Sequence, residues 1–226
     1  MRFGVLFSGG KDSTLALHLA AEKGQVVCLI TVVSKNKESY MFHTPNVDVT
    51  VLQAQALGLP LVSVVTEGCK EEELVDLERA ILQAKVLFGI EGVVTGAVES
   101  VYQVSRVQRI CDGLGLVCFN PLWKFGQKAL LERLFECKFS VVISGVFAYP
   151  LDVSWLGRLL DRDLFGRLLV LSEKYGISVS GEGGEIETTV LDAPLFRQRV
   201  EVLDFEVVWD RTSGVYVIKR AVLVVK

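Results

Sequence analysis

The chain has 226 residues, half of them hydrophobic, and a formal net charge of −3, a length that allows one sizeable core or a main domain with a smaller second one. Its 24 Lys and Arg are interspersed with 27 Asp and Glu, which lacks the basic excess of a general nucleic-acid binder. The longest uncharged stretch, Val49 to Thr66, contains two Gln and the break Gly58-Leu59-Pro60, so no membrane span is expected. The first residues run directly into an apolar strand without a basic segment and cleavage site, and the expected compartment is the cytoplasm. Five cysteines without a C-x-x-C, and only two histidines, make no zinc set; they read as buried small hydrophobes.

In chain order, Arg2 to Phe7 reads as a buried strand and Ser13 to Ala21 as a helix. Further Val-rich strands are expected at 25–33, 59–65, 92–97, 116–119 and 139–146; none alternates strictly, as in strands covered on both faces. Between them lie helical segments. Thr44-Pro45 marks an N-cap with proline at the first helical position, opening a helix that ends near Leu57-Gly58. Residues 70–88 carry an apolar stripe behind an acidic first turn, and 100–114 and 127–137 are also amphipathic. This alternation through residue 122 predicts a doubly wound parallel α/β sheet. Beyond Pro121-Leu122-Trp123 the pattern changes to a helix at 163–175, a glycine-bearing polar stretch at 180–185, and two strands, 200–209 and 215–225, joined by Arg211 to Gly214. A smaller C-terminal α+β lobe over 123–226 is expected to pack on a first domain of residues 1–122, with a cleft between them.

The turn Ser8-Gly9-Gly10-Lys11-Asp12-Ser13 lies between the first strand and its helix. Ligands of open α/β sheets bind beyond the carboxyl ends of strands, where helix N-termini present unpaired amides to an anion. Gly9 and Gly10 let backbone approach an oxygen-rich ligand, Lys11 adds a point charge, and Ser8 and Ser13 add hydroxyls. A phosphate fits that set. It is not a Walker A loop: Gly4 to Gly9 have the spacing, but Gly10 stands where Lys is required.

The motif and its placement resemble the PP-loop of the ATP pyrophosphatase superfamily, whose fold is adenine nucleotide alpha hydrolase-like (HUP-type). Three further stretches narrow the likeness: Ser39 to Asn46, Gly96 to Arg106 and Gly181 to Thr188. Together with Pro121-Leu122-Trp123 and in this order, they are similar to the diphthine–ammonia ligase family, through about Phe196. That resemblance implies ATP and magnesium as cofactors, elongation factor 2 bearing diphthine and free ammonium as partners, and amide formation through an acyl-adenylate. AMP and pyrophosphate would leave. It implies ATP contacts from Ser8, Gly9, Gly10, Lys11, Asp12, Ser13 and Gly96, and substrate contacts from Tyr40, His43, Tyr102, Gln103, Glu182, Gly183, Gly184, Glu187 and Thr188. No metal ligand is assigned to the protein, and a homodimer is an open possibility.

Lys11, Arg106 and Glu185 are the candidate catalytic residues. Tyr102 and Arg106 share a helix face, so Arg106 either grips a carboxylate or α-phosphate or forms a surface ion pair. Glu182, Glu185 and Glu187 would repel phosphates unless a cation intervened; they either close over the cleft around a trimethylammonium or ammonium group, or form a solvated turn. His43 faces ligand or packs under a helix start, and His18 lies behind the loop. Two alternatives stay open: a tRNA-modifying enzyme of the thiolase or lysidine type, and a regulatory module that binds ATP without consuming it. Cys111 and Cys118 are the closest cysteine pair for the thiolase.

Overall fold

The apolar run after Met1 forms β1 (Arg2–Leu6), which lies at the centre of a five-stranded parallel sheet. A computed structural model describes residues 1–36 and 45–226. The other strands of this sheet are β2 (Gln25–Ser34), β3 (Leu61–Thr66), β4 (Gly92–Val94) and β5 (Val117–Phe119). Their order is β3-β2-β1-β4-β5, so the chain crosses back over β1 between β3 and β4. Helices α1 (Lys11–Ala21), α2 (Thr50–Leu57), α3 (Glu73–Phe88) and α4 (Val101–Leu114) connect successive strands, which is the doubly wound arrangement that the alternation predicts. Buried residues of α3 and α4 form one core with Ile30, Val32, Val62 and Val93; those of α1 and α2 form the other with Phe3, Val5 and Leu29.

The remaining chain makes α5 (Gln127–Glu136), β6 (Ser140–Val146), α6 (Arg162–Tyr175), β7 (Ile186–Asp192), β8 (Gln198–Asp210) and β9 (Ser213–Val225). The four strands form a second, antiparallel sheet in the order β7-β6-β9-β8. β6 is interior and buried along nearly its whole length, as its unbroken apolar run predicts. The core around Phe3 and Leu15 continues through Leu131, Ile143, Leu164, Val190 and Tyr216, so the second sheet buries itself against the α1–α2 side of the first.

Several boundaries differ from expectation. α1 starts at Lys11, two residues before Ser13, because Gly10 supplies an extended N-cap and Thr14 N bonds Gly10 O. α2 opens at Thr50 after a single 3₁₀ turn. The expected cap Thr44 lies outside the described residues, and Asn46, at φ 63°, sends its side chain to Tyr216 O and Ile218 N of β9 rather than capping a helix. Gly58, at φ 67°, ends α2 as expected. β3 is an edge strand with alternating burial, leaving Val65 half exposed. β7 lies in a stretch with no expected strand, although Ile186, Thr188, Thr189 and Val190 are β-formers. Among the described residues no helix is long and apolar enough to cross a membrane.

Candidate active site

β1 ends at Leu6 and α1 begins at Lys11, so Phe7 to Gly10 form a turn at the carboxyl end of the central strand. The turn after β4 closes against it: a Cβ at Gly96 would lie 2.7 Å from Ser13 N. This is the sheet's switch point, where neighbouring crossovers leave in opposite directions and open a crevice. Ser8 Oγ lies 3.2 Å from Ser13 Oγ, and Gly10 N makes a long 3.4 Å approach to Ser8 Oγ. From the second sheet, Val190 N donates to Gly9 O at 2.9 Å. Gln53 Nε2, on α2, donates to the same oxygen at 3.0 Å. Neither partner is signalled by the motif.

Lys11 is 4 % exposed. Its backbone N donates to Thr188 Oγ1 at 3.2 Å, and Nζ is 2.8 Å from Asp12 Oδ2. Burial works against its charge, but the carboxylates of Asp12, Glu182 and Glu187 more than offset that and hold its pKa above the usual lysine range. Conversely, burial pushes Glu182 and Glu187 up to about 7 each, with Asp12 adding to the rise and Lys11 opposing it. Lys11 is therefore a cation on which the charges of Asp12, of Glu182 in the turn before β7 and of Glu187 on β7 act. Asp12 Oδ1 is buried and has no hydrogen-bond partner among the described residues.

Glu185 behaves differently from its neighbours. Its Oε1 accepts from Ser178 N and its Oε2 from Gly183 N, both at 2.9 Å, so its carboxylate braces the loop of Gly183 and Gly184. Gln127, at the start of α5, supports the same loop by accepting from Ser178 Oγ and Val179 N at 2.9 and 3.0 Å. The structure thus brings Ser8 to Ser13, Gly96, Glu182, Glu187 and Thr188 together, with Glu185 holding the loop that carries Glu182.

Tyr102 and Arg106 form a second cluster at the start of α4. Both donate to Glu71 Oε1, at 2.9 and 2.8 Å, and the guanidinium lies 3.8 Å over the Tyr102 ring. The hydrogen bond from Arg106 holds Glu71 below the usual carboxylate range. Glu71 takes φ 68° to reach this position. The cluster borders a groove of about 250 Å³ between α3 and α4, also lined by Glu78 and Arg109. Arg106 is thus engaged in an ion pair instead of joining Lys11. Gln103 N donates to the Ser100 cap at 3.3 Å. Tyr40 and His43 lie outside the described residues. His18 is a packing group, as expected: Nδ1 lies 2.8 Å from Thr14 O and Nε2 accepts from Leu195 N, which places the proton on Nδ1. Cys111 and Cys118 pair at the α4–β5 contact, where a hydrogen bond from Cys111 lowers the Cys118 pKa.

Comparison with known proteins matches both halves of the chain. A model of the diphthamide synthase N-terminal domain matches residues 1–118, and one of the diphthamide synthase C-terminal domain matches 126–224. Diphthine–ammonia ligase of Bos taurus is 36% identical over 92% of this chain and 85% of its own; that of Homo sapiens is 35% identical over the same shares. The Schizosaccharomyces pombe protein is 34% identical over 92% of this chain but only 37% of its own. Among solved structures, a predicted tRNA methyltransferase subunit from Methanocaldococcus jannaschii aligns over 86% of this chain and 98% of its own. Its TM-score is 0.44 at 19% identity, a likeness too distant to bear on function. The agreement of both domain models with relatives at this identity places the chain in the diphthine–ammonia ligase family.

Proposed function

We propose that the chain uses ATP to join ammonium to the diphthine carboxylate of elongation factor 2, forming diphthamide and releasing AMP and pyrophosphate. The observation that carries this reading is the Ser8–Ser13 loop at the switch point, with Lys11 buried at the first position of α1. Residues 1–122 hold ATP in this reading and 123–226 bind the acceptor. The carboxylate attacks the α-phosphorus; the bond to the β-phosphate breaks and pyrophosphate leaves. Lys11 and the amides opening α1 stabilise charge on the departing group. Ammonia then attacks the acyl carbon and AMP leaves.

Asp12 would hold a magnesium ion: its Oδ1 is a buried hard oxygen without a partner among the described residues. Magnesium is commonly held by one or two carboxylates, with phosphates and water completing the shell, and it would neutralise phosphate charge. Glu182 and Glu187, held near neutral pH, suit the proton that ammonium must lose before its nitrogen can attack. The test is AMP formation from ATP, ammonium and diphthine-bearing elongation factor 2, with the mass of the modified factor measured alongside. Ligation with stoichiometric AMP supports the proposal. Absence of AMP, or turnover that needs tRNA and a sulfur donor, overturns it.

A further inference from the structure

Gln53 is fully buried on α2. Its Nε2 donates one hydrogen to Gly9 O at 3.0 Å and the other to Val190 O of β7 at 2.7 Å. The amide orientation follows from its partners, since two carbonyl oxygens require the nitrogen, and a reversed amide would set oxygen against oxygen. Its Oε1 remains buried without a partner among the described residues. A buried side chain that satisfies two backbone carbonyls, one from the loop after β1 and one from β7 of the second sheet, at the cost of an unsatisfied oxygen, is specifying an arrangement.

The arrangement concerns one peptide plane. Gly9 is at φ 79°, a conformation glycine shares with others of similar energy, so the Gly9–Gly10 peptide needs an external constraint to keep one face. In a trans peptide the carbonyl and the following N–H point in opposite directions. Gln53 Nε2 and Val190 N hold Gly9 O toward α2 and β7. The Gly10 N–H is thereby turned to the other side, where Ser8 Oγ lies 3.4 Å away and the crevice opens. An adjacent Cβ cannot replace the glycine, because at Gly9 it would overlap Gln53 Oε1.

We infer that Gln53 is a positioning residue for nucleotide binding: it fixes the Gly9–Gly10 peptide with its N–H toward the phosphates and ties that orientation to β7 of the second sheet. The inference rests on the reading of this loop as the ATP site. Gln53→Met keeps the side-chain length and removes both donors; Asn46→Ala serves as control. Asn46 crosses the same seam, donating to Tyr216 O at 2.9 Å and to Thr189 Oγ1 of β7 at 3.3 Å and accepting from Ile218 N at 2.8 Å, without touching the loop itself. Calorimetry with ATP and magnesium, and ligation rates over a range of ATP concentrations, are measured for both variants and the wild type.

Gln53→Met is expected to weaken ATP binding and raise KM for ATP about tenfold while kcat changes less than about threefold, since a lost pair of buried hydrogen bonds acts on binding. Asn46→Ala is expected to lower Tm but leave KM for ATP within about twofold. Should Gln53→Met fail to fold, Gln53→Leu removes the same donors at similar volume and enters the same comparison. Unchanged ATP affinity in the Gln53 variant, or an equal loss in Asn46→Ala, overturns the inference. A wild-type protein that binds no ATP overturns the reading of the site itself.

Discussion

Lys11 shows how far a residue's role depends on its neighbours. On the loop alone it is a point charge for phosphate; in the folded chain it also pairs with Asp12, and the charges of Glu182 and Glu187 act on it from the second lobe. Lys11→Ala is expected to reduce AMP release at least about a hundredfold, the scale of losing a preorganised transition-state contact, as checked by turnover at saturating ATP. The glutamates give a pH signature. An unfolded Glu titrates near 4.5 whereas Glu182 and Glu187 titrate at about 7 when folded. Between those values the folded chain holds protons that the unfolded chain has lost, so stability falls as pH rises through that window. The ligand-free Tm is therefore expected to drop from about pH 5 to about pH 7.5. The double variant Glu182→Gln, Glu187→Gln flattens that slope in a thermal melt series; an unchanged slope assigns the effect elsewhere.

At the scale of elements, the site depends on three connections that converge on one turn. β1 delivers the loop, the turn after β4 closes on it at Gly96, and β7 reaches it from the other sheet. Gly96→Ala would drive a methyl against the backbone of Ser13, which cannot withdraw like a flexible side chain. A loss of about 2 kcal/mol is expected from overpacking, or about 6 °C in Tm for a chain of this size, together with weaker ATP binding in calorimetry. The first connection was legible in the sequence because strand, turn and helix are contiguous there, and Gly96 of the second came with the family resemblance. The third was not, since Val190 and Gln53 meet the loop across long sequence separation and neither carries a motif. The glutamates were expected to hold a substrate cation; in the folded chain the charges of two of them also act on Lys11. Glu185 illustrates the same limit: three glutamates in six residues look equivalent until the turn at Gly181 to Gly184 aims one at its own backbone.

For the whole molecule, one continuous core joins the α1–α2 side of the parallel sheet to the antiparallel sheet, from Phe3 through Tyr216. Two units sharing that much apolar surface should unfold together. A single calorimetric transition is expected, with calorimetric and van't Hoff enthalpies in agreement; two resolved transitions would contradict a shared core. The same continuity couples the loop to the second sheet. Held by Val190 and Thr188, the loop cannot reorient without moving against β7.

The amino-acid sequence by itself determined the doubly wound order of strands and helices, the position of the loop and the C-terminal hairpin. Hydrophobic period and local turn chemistry act over a few residues and need no partner. Only the tertiary structure decided that the second sheet lies against the loop, that Arg106 is held by Glu71, and that the charges of Glu182 and Glu187 act on Lys11 while Glu185 is turned to its own backbone. Those outcomes depend on which distant groups exclude water from one another, and burial and charge pairing are properties of the packed chain.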